Sequence, residues 1–166
     1  MQPVVLVHGF LDTWYTPWWR RMKKSLRSVG PVPEKIYGVN KGSIPGTTVG
    51  SPENNAEMVE EKVEEVYDRH DERVNLVGHS MGGLDSRWYV EQMDGEDYVD
   101  TIVTLATPHH GTLTSRYAAL TPGGKKLAMS SDIIRTLKQD GLSDEVEYVS
   151  LWSPGDSAVE PSRSAK

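Results

Sequence analysis

The chain has no cysteine among its 166 residues, so neither a disulfide framework nor a thiolate metal site is possible, and its redox compartment stays open. No apolar run reaches the length of a membrane-spanning helix, so no integral membrane segment is expected. Met1-Gln2 enters a strand-like run directly, without the charged, apolar and small-residue sections of a leader peptide. These absences give the expectation of a soluble protein, secreted or cytoplasmic, with a removed leader left open. Internal repeats and low-complexity segments are also lacking. There is no excess of positive charge either: 24 acidic against 18 basic residues give a net charge of −6. That balance argues against a nucleic-acid or anionic-membrane partner and favours solubility. What remains is a length suited to a single domain, residues 1–166, able to bury roughly 70% of its unfolded surface.

Within that length, the stretch Val74-Asn75-Leu76-Val77-Gly78-His79-Ser80-Met81-Gly82-Gly83 organises the rest. Val74 to Val77 read as a short buried strand, and Met81, Leu84, Trp88 and Met93 follow at helical spacing. A strand that breaks into a helix at Ser80 lifts the hydroxyl clear of the sheet's carboxyl edge. The turn leaves no room for side chains on its flanks, which accounts for Gly78 and Gly82. The start of the helix brings backbone N–H groups and partial positive charge to the same place. This is the pattern of a nucleophile elbow.

The other segments fit around it. Pro3 to Val7 is a continuous apolar strand of the kind covered on both faces, and it ends at His8-Gly9-Phe10, where the Phe10 amide becomes an oxyanion donor candidate beside that of Met81. Thr16-Pro17 opens a helix with Trp19, Met22, Leu26 and Val29 on its apolar side, stopped by Gly30-Pro31. Its lysines and arginines read as a solvated face. Trp14 and Tyr15 precede it and are candidates for the rim of a substrate pocket. Ile36 to Val39 is a second strand, followed by a Gly/Ser/Thr/Pro-rich loop from Asn40 to Gly50. Ser51-Pro52-Glu53 opens a helix whose stripe is Ala56, Val59, Val63 and Val66, with His70 at its end.

After the elbow helix, the acidic turn Asp94 to Asp97 matches no calcium-loop spacing. A strand from Asp100 to Ala106 leads to Thr107-Pro108-His109-His110. Adjacent histidines cannot both face one metal ion from a strand or helix, so no metal is expected, and His109 is placed instead at the mouth of the site. Residues 112–129 are mixed and suit a small flap. A helix from Asp132 to Gln139 and a strand from Val146 to Trp152 complete the pattern, and Asp156 lies just past that strand's carboxyl end. Strands alternating with helices imply a doubly wound, mostly parallel sheet with helices on both faces.

Four stretches together resemble the α/β-hydrolase fold, and more narrowly its small lipases, the compact class 2 and lipase-A-like group. They are Pro3-Val-Val-Leu-Val-His-Gly-Phe10, the elbow itself, Thr104-Leu-Ala-Thr-Pro-His-His-Gly-Thr112, and Val149-Ser-Leu-Trp-Ser-Pro-Gly-Asp156 with the residues after it. The resemblance implies an acyl-ester hydrolase, active on a small-molecule or lipid ester without a cofactor. It further implies Ser80 as nucleophile, Asp156 as the orienting acid, and Phe10 and Met81 as backbone oxyanion donors. It also implies a histidine after the acid, and here none of the five histidines follows Asp156. The expectation is therefore a C-terminally shortened domain that lacks the last strand and helix, with the histidine carried by the missing tail. A non-catalytic binding module that has lost its histidine is the competing reading. Acyl-chain preference and oligomeric state are not fixed by the sequence.

Overall fold

The computed structural model describes residues 2–13, 15–29, 35–42, 44 and 48–166, apart from the Trp18 side chain. Five strands, β1 (Val4–Val7), β2 (Ile36–Gly38), β3 (Val74–His79), β4 (Val99–Leu105) and β5 (Glu147–Leu151), form one sheet. Their order is β2-β1-β3-β4-β5 and every pairing is parallel. Between them run α1 (Pro17–Val29), α2 (Pro52–His70), α3 (Met81–Gln92), α4 (Pro122–Lys126) and α5 (Asp132–Asp140). This is the doubly wound α/β arrangement expected from the alternating pattern.

Alternation along each strand sorts the core into two layers. Val5, Val7, Val74, Leu76 and Ile102 face α2 and α3, meeting Ala56, Val59, Val63, Val66 and Tyr89. Leu6 and Val77 face the other way, against Trp19 of α1, with Met22 and Leu26 alongside. The four stripe residues of α2 are all fully buried, as their spacing required. On α1 the stripe runs out early: Val29, its last residue, is exposed. A third cluster joins Met81 and Leu84 of α3 to Leu127 and to Ile133, Ile134 and Leu137 of α5.

Helix ends follow local chemistry. Ser131 Oγ accepts the Ile134 N–H at the start of α5, and Thr121 Oγ1 accepts the Gly124 N–H at the start of α4. The segment expected as a flap holds a 3-10 turn, Leu113–Ala118, followed by α4. It is pinned where the Gly123 N–H donates to the Val49 carbonyl at 2.9 Å and where Lys126 meets Glu53 at 2.7 Å and Asp132 at 2.8 Å. At the sheet's outer edge, Val149 and Leu151 of β5, and Trp152 beyond it, are exposed. No described helix is long and apolar enough to cross a membrane.

Candidate active site

In register, Val7 of β1 pairs with Gly78 of β3, and His79 pairs with Leu105 of β4. The three central strands therefore end side by side, and the residues that follow them meet along one edge of the sheet. Ser80 is where β3 becomes α3. Its backbone sits at φ 53 and ψ −125, a conformation that side-chain-bearing residues rarely adopt. The strain is held on both sides: the Ser80 N–H donates to the Leu105 carbonyl at 2.9 Å, and its own carbonyl accepts the Gly83 N–H at 3.1 Å.

Close approach explains the flanking glycines. A Cβ at Gly78 would lie 2.6 Å from the Cα of Gly83, and one at Gly82 would lie 2.7 Å from the His8 carbonyl, with that of Val7 closer still. Gly9 locates the loop after β1, because a Cβ there would stand 3.0 Å from the Cβ of Ser80. The peptide units carrying the Phe10 and Met81 amides thus adjoin the Ser80 side chain. Among the described residues, neither amide donates to a backbone acceptor and Ser80 Oγ has no hydrogen-bond partner.

Beneath this junction lies a buried polar network that the sequence reading did not single out. Lys41 and Asp85 form an ion pair with both side chains 0% exposed. The Lys41 ammonium donates to that carboxylate and to the His8 carbonyl, while the Lys41 N–H donates to His8 Nε2 at 3.3 Å. Asn55 of α2 donates to both oxygens of Asp85 at 3.4 Å. The loop after β1, the loop after β2, α2 and α3 are thereby joined at one point. Lys41 sits in a stretch that reads as a polar loop, so nothing in its own neighbourhood marks it. Asp85 left a usable signal, a carboxylate next to Leu84 on a helix with a strongly apolar neighbourhood.

The expected site residues are distributed as follows. Asp156 lies half-buried in the turn after β5, and its Oδ1 accepts the N–H groups of Ala158 at 2.8 Å and Val159 at 3.1 Å. Tyr15 is exposed on the loop between β1 and α1, and Trp14 lies outside the described residues. His109, expected at the mouth, lies in the loop after β4 with both ring nitrogens engaged. Its Nδ1 faces the Arg87 guanidinium at 3.3 Å and its Nε2 lies 3.0 Å from Thr104 Oγ1. Arginine only donates, so Nδ1 is the acceptor and Nε2–H the donor. Both nitrogens serve the packing of α3 on β4, and none is left for a ligand.

The other histidines are also placed. His70 shares a 2.7 Å hydrogen bond with the Tyr37 hydroxyl. His79 packs edge-on against Trp19, with ring centroids 6.5 Å apart. Burial lowers its pKa, with Asp12 and Asp156 acting in the opposite sense. His110 is exposed. Among the described residues, no three His, Asp or Glu side chains are grouped to hold a metal ion.

Burial and the Lys41 ammonium lower His8 to about 4, and burial with the Arg87 guanidinium and His110 lowers His109 to about 3. Both are bases held below their ordinary value of 6.5. Their contribution to stability is complete above that value and is lost as the pH falls through the window down to about 4 and 3. Asp85, raised to about 6 by burial against the opposing pull of Lys41, works the other way, and its contribution is lost as pH rises through 6. Two histidines outweigh one aspartate, so the urea midpoint should fall steadily from pH 6.5 to pH 4. In His109→Gln that slope should be shallower; an unchanged slope would remove His109 from this account.

Residues 3–153 match the family model described as palmitoyl protein thioesterase. Among curated relatives, "Triacylglycerol lipase 2" of Saccharomyces cerevisiae is 28% identical over 146 residues, covering 86% of this chain and 43% of that protein. A "Triacylglycerol lipase" of Pseudarthrobacter phenanthrenivorans is 32% identical over 115 residues, covering 66% and 34%. The chain thus spans less than half the length of either. Among solved structures, Aspergillus fumigatus lipase B superposes with a TM-score of 0.80 at 25% identity, covering 96% of this chain and 39% of that one. Mature Bacillus licheniformis lipase BlEst2, at 20% identity and a TM-score of 0.65, covers 89% and 63% and shares the fold.

Proposed function

The chain belongs to the palmitoyl protein thioesterase family, and from that premise we propose that it is a serine acyl hydrolase, cleaving lipid-like esters through an acyl-enzyme on Ser80. The observation that carries this reading is the backbone of Ser80, a non-glycine residue at positive φ between strand and helix, with the loop after β1 pressed against its Cβ. In the proposed reaction, Ser80 Oγ attacks the acyl carbonyl while a histidine takes its proton. The Phe10 and Met81 amides hold the resulting oxyanion. The same histidine then protonates the leaving oxygen, and water repeats the sequence to release the acid. Asp156 orients that histidine. The relatives' own activities, on triacylglycerols, favour an acyl ester as substrate.

No histidine hydrogen-bonds to Ser80 among the described residues, and His8, His70 and His109 are committed to other partners. The proposed reaction therefore requires a base that these three do not supply. A fluorophosphonate probe tests it. We expect weak labelling of the 166-residue chain and strong labelling, mapped to Ser80, of a form extended past Lys166 to include a further histidine. Asp156→Asn should cut turnover steeply in the form that labels. Strong labelling of the 166-residue chain would place the base within it, to be sought by substitution at His79 and His110, and no labelling of any form would leave a non-catalytic binding module.

A further inference from the structure

The net charge of −6 conceals how unevenly the charges are laid out. Helix α1 reads Pro-Trp-Trp-Arg-Arg-Met-Lys-Lys-Ser-Leu-Arg-Ser-Val, with five cationic side chains and no acid. Its inner face is Trp19, Met22 and Leu26, packed on the sheet. Arg20, Arg21, Lys24 and Arg27 all fall on the opposite side and are exposed. On α2, by contrast, Lys62 and Arg69 both meet Glu65. Among the described residues, none of these four forms an ion pair. The local field is positive enough to act on Lys23, whose ammonium pKa is lowered by burial and by Arg27. Pro17, Arg20, Arg21 and Lys24 also line a shallow cavity of about 350 Å³, with three cations around one space.

Position adds a second observation. The loop that enters α1 is the one whose Gly9 touches Ser80, and it carries two exposed large apolar side chains, Leu11 at 45% and Tyr15 at 41%. A cationic helix face entered through a loop with exposed apolar residues is the combination that binds the headgroup layer of an anionic bilayer, with phosphates on the cations and apolar groups at the acyl boundary. Nucleic acid shares the phosphate chemistry and could stack a base on Tyr15, but it offers no apolar layer to Leu11.

We propose that the outer face of α1, through Arg20, Arg21, Lys24 and Arg27, docks the protein on anionic phospholipid surfaces, with Leu11 and Tyr15 at the lipid-facing end beside the Ser80 loop. Docking of this kind reverses what net charge alone suggests about a membrane surface, because α1 itself carries no acid. It is independent of catalysis, so Ser80→Ala should bind like the wild type whatever becomes of the hydrolase reading.

Co-sedimentation with vesicles decides the matter. The wild type should bind phosphatidylcholine vesicles containing phosphatidylglycerol, ignore vesicles of phosphatidylcholine alone, and be released by salt. The reversal R20E/R21E/K24E/R27E should weaken binding on the order of a hundredfold or more, since each cation near such a surface contributes appreciably. A matched reversal on another exposed face, R135E/K138E, should leave binding within a few-fold. If the quadruple reversal loses its helical circular dichroism, the corresponding quadruple glutamine variant takes its place. Equal binding to both vesicle types, no binding to the anionic ones at low salt, or equal loss from the α5 reversal would each overturn the proposal.

Discussion

Ser80→Gly should give a protein that is more stable than the wild type and catalytically dead. Serine at φ 53 and ψ −125 occupies backbone territory that costs a residue with a Cβ about 1–3 kcal/mol, whereas glycine enters it freely. Glycine's greater freedom in the unfolded chain takes back roughly 0.5–1 kcal/mol, which leaves a net gain of about 1 kcal/mol. Ser80→Ala keeps the Cβ and therefore the strain, so its stability should stay near that of the wild type. Both variants remove the attacking oxygen, and turnover of p-nitrophenyl esters should drop on the order of 10⁵-fold in whichever form of the protein is active. Urea denaturation and ester hydrolysis measured together separate the two claims. A glycine variant less stable than the alanine variant would show that the backbone is relaxed, and residual turnover near the wild-type rate would place the nucleophile elsewhere.

The second large effect is expected at Lys41. Replacing it with methionine keeps the bulk of the stem but leaves Asp85 fully buried with only Asn55 as a hydrogen-bonding partner and deprives the His8 carbonyl of its donor. Removing one member of a buried ion pair commonly costs about 3–5 kcal/mol, a large part of the stability of a domain of this size. The pair itself is worth far less than that loss suggests, because both charges have already given up their hydration. Lys41→Met combined with Asp85→Leu should therefore recover much of the lost stability. The double variant should still hydrolyse esters more slowly than the wild type, since the tie between the loop after β1 and α3 is gone. If the single variant unfolds at the wild-type urea concentration, the ion pair is not holding these elements together.

Much of the architecture was legible because it depends on signals that act locally. Continuous apolar runs at Pro3 to Val7 and Val74 to Val77, the stripe through Ala56, Val59, Val63 and Val66, and Gly at the end of α5 each state their own structure. The elbow was legible for the same reason, since the strand, the tight turn and the helix are contiguous in the chain. What stayed hidden depends on distant residues. Nothing near His109 in sequence announces that Arg87 occupies one ring nitrogen and Thr104 the other, and Lys41 becomes informative only once α3 brings Asp85 to it. The charge on α1 was visible as composition, but the exposure of Arg20, Arg21, Lys24 and Arg27 is a property of the assembled surface.

The strand order has a kinetic consequence. β1 and β3 are neighbours in the sheet, yet α1, β2 and α2 all lie between them in the chain, and parallel pairing across such a separation is slow because the loop must close before any ladder bond rewards it. Phe10 follows one of these strands and Ser80 follows the other, so a helical, collapsed intermediate would hold the proposed nucleophile and oxyanion donor without the junction that brings them together. Refolding followed by active-site labelling should accordingly lag behind refolding followed by far-ultraviolet circular dichroism.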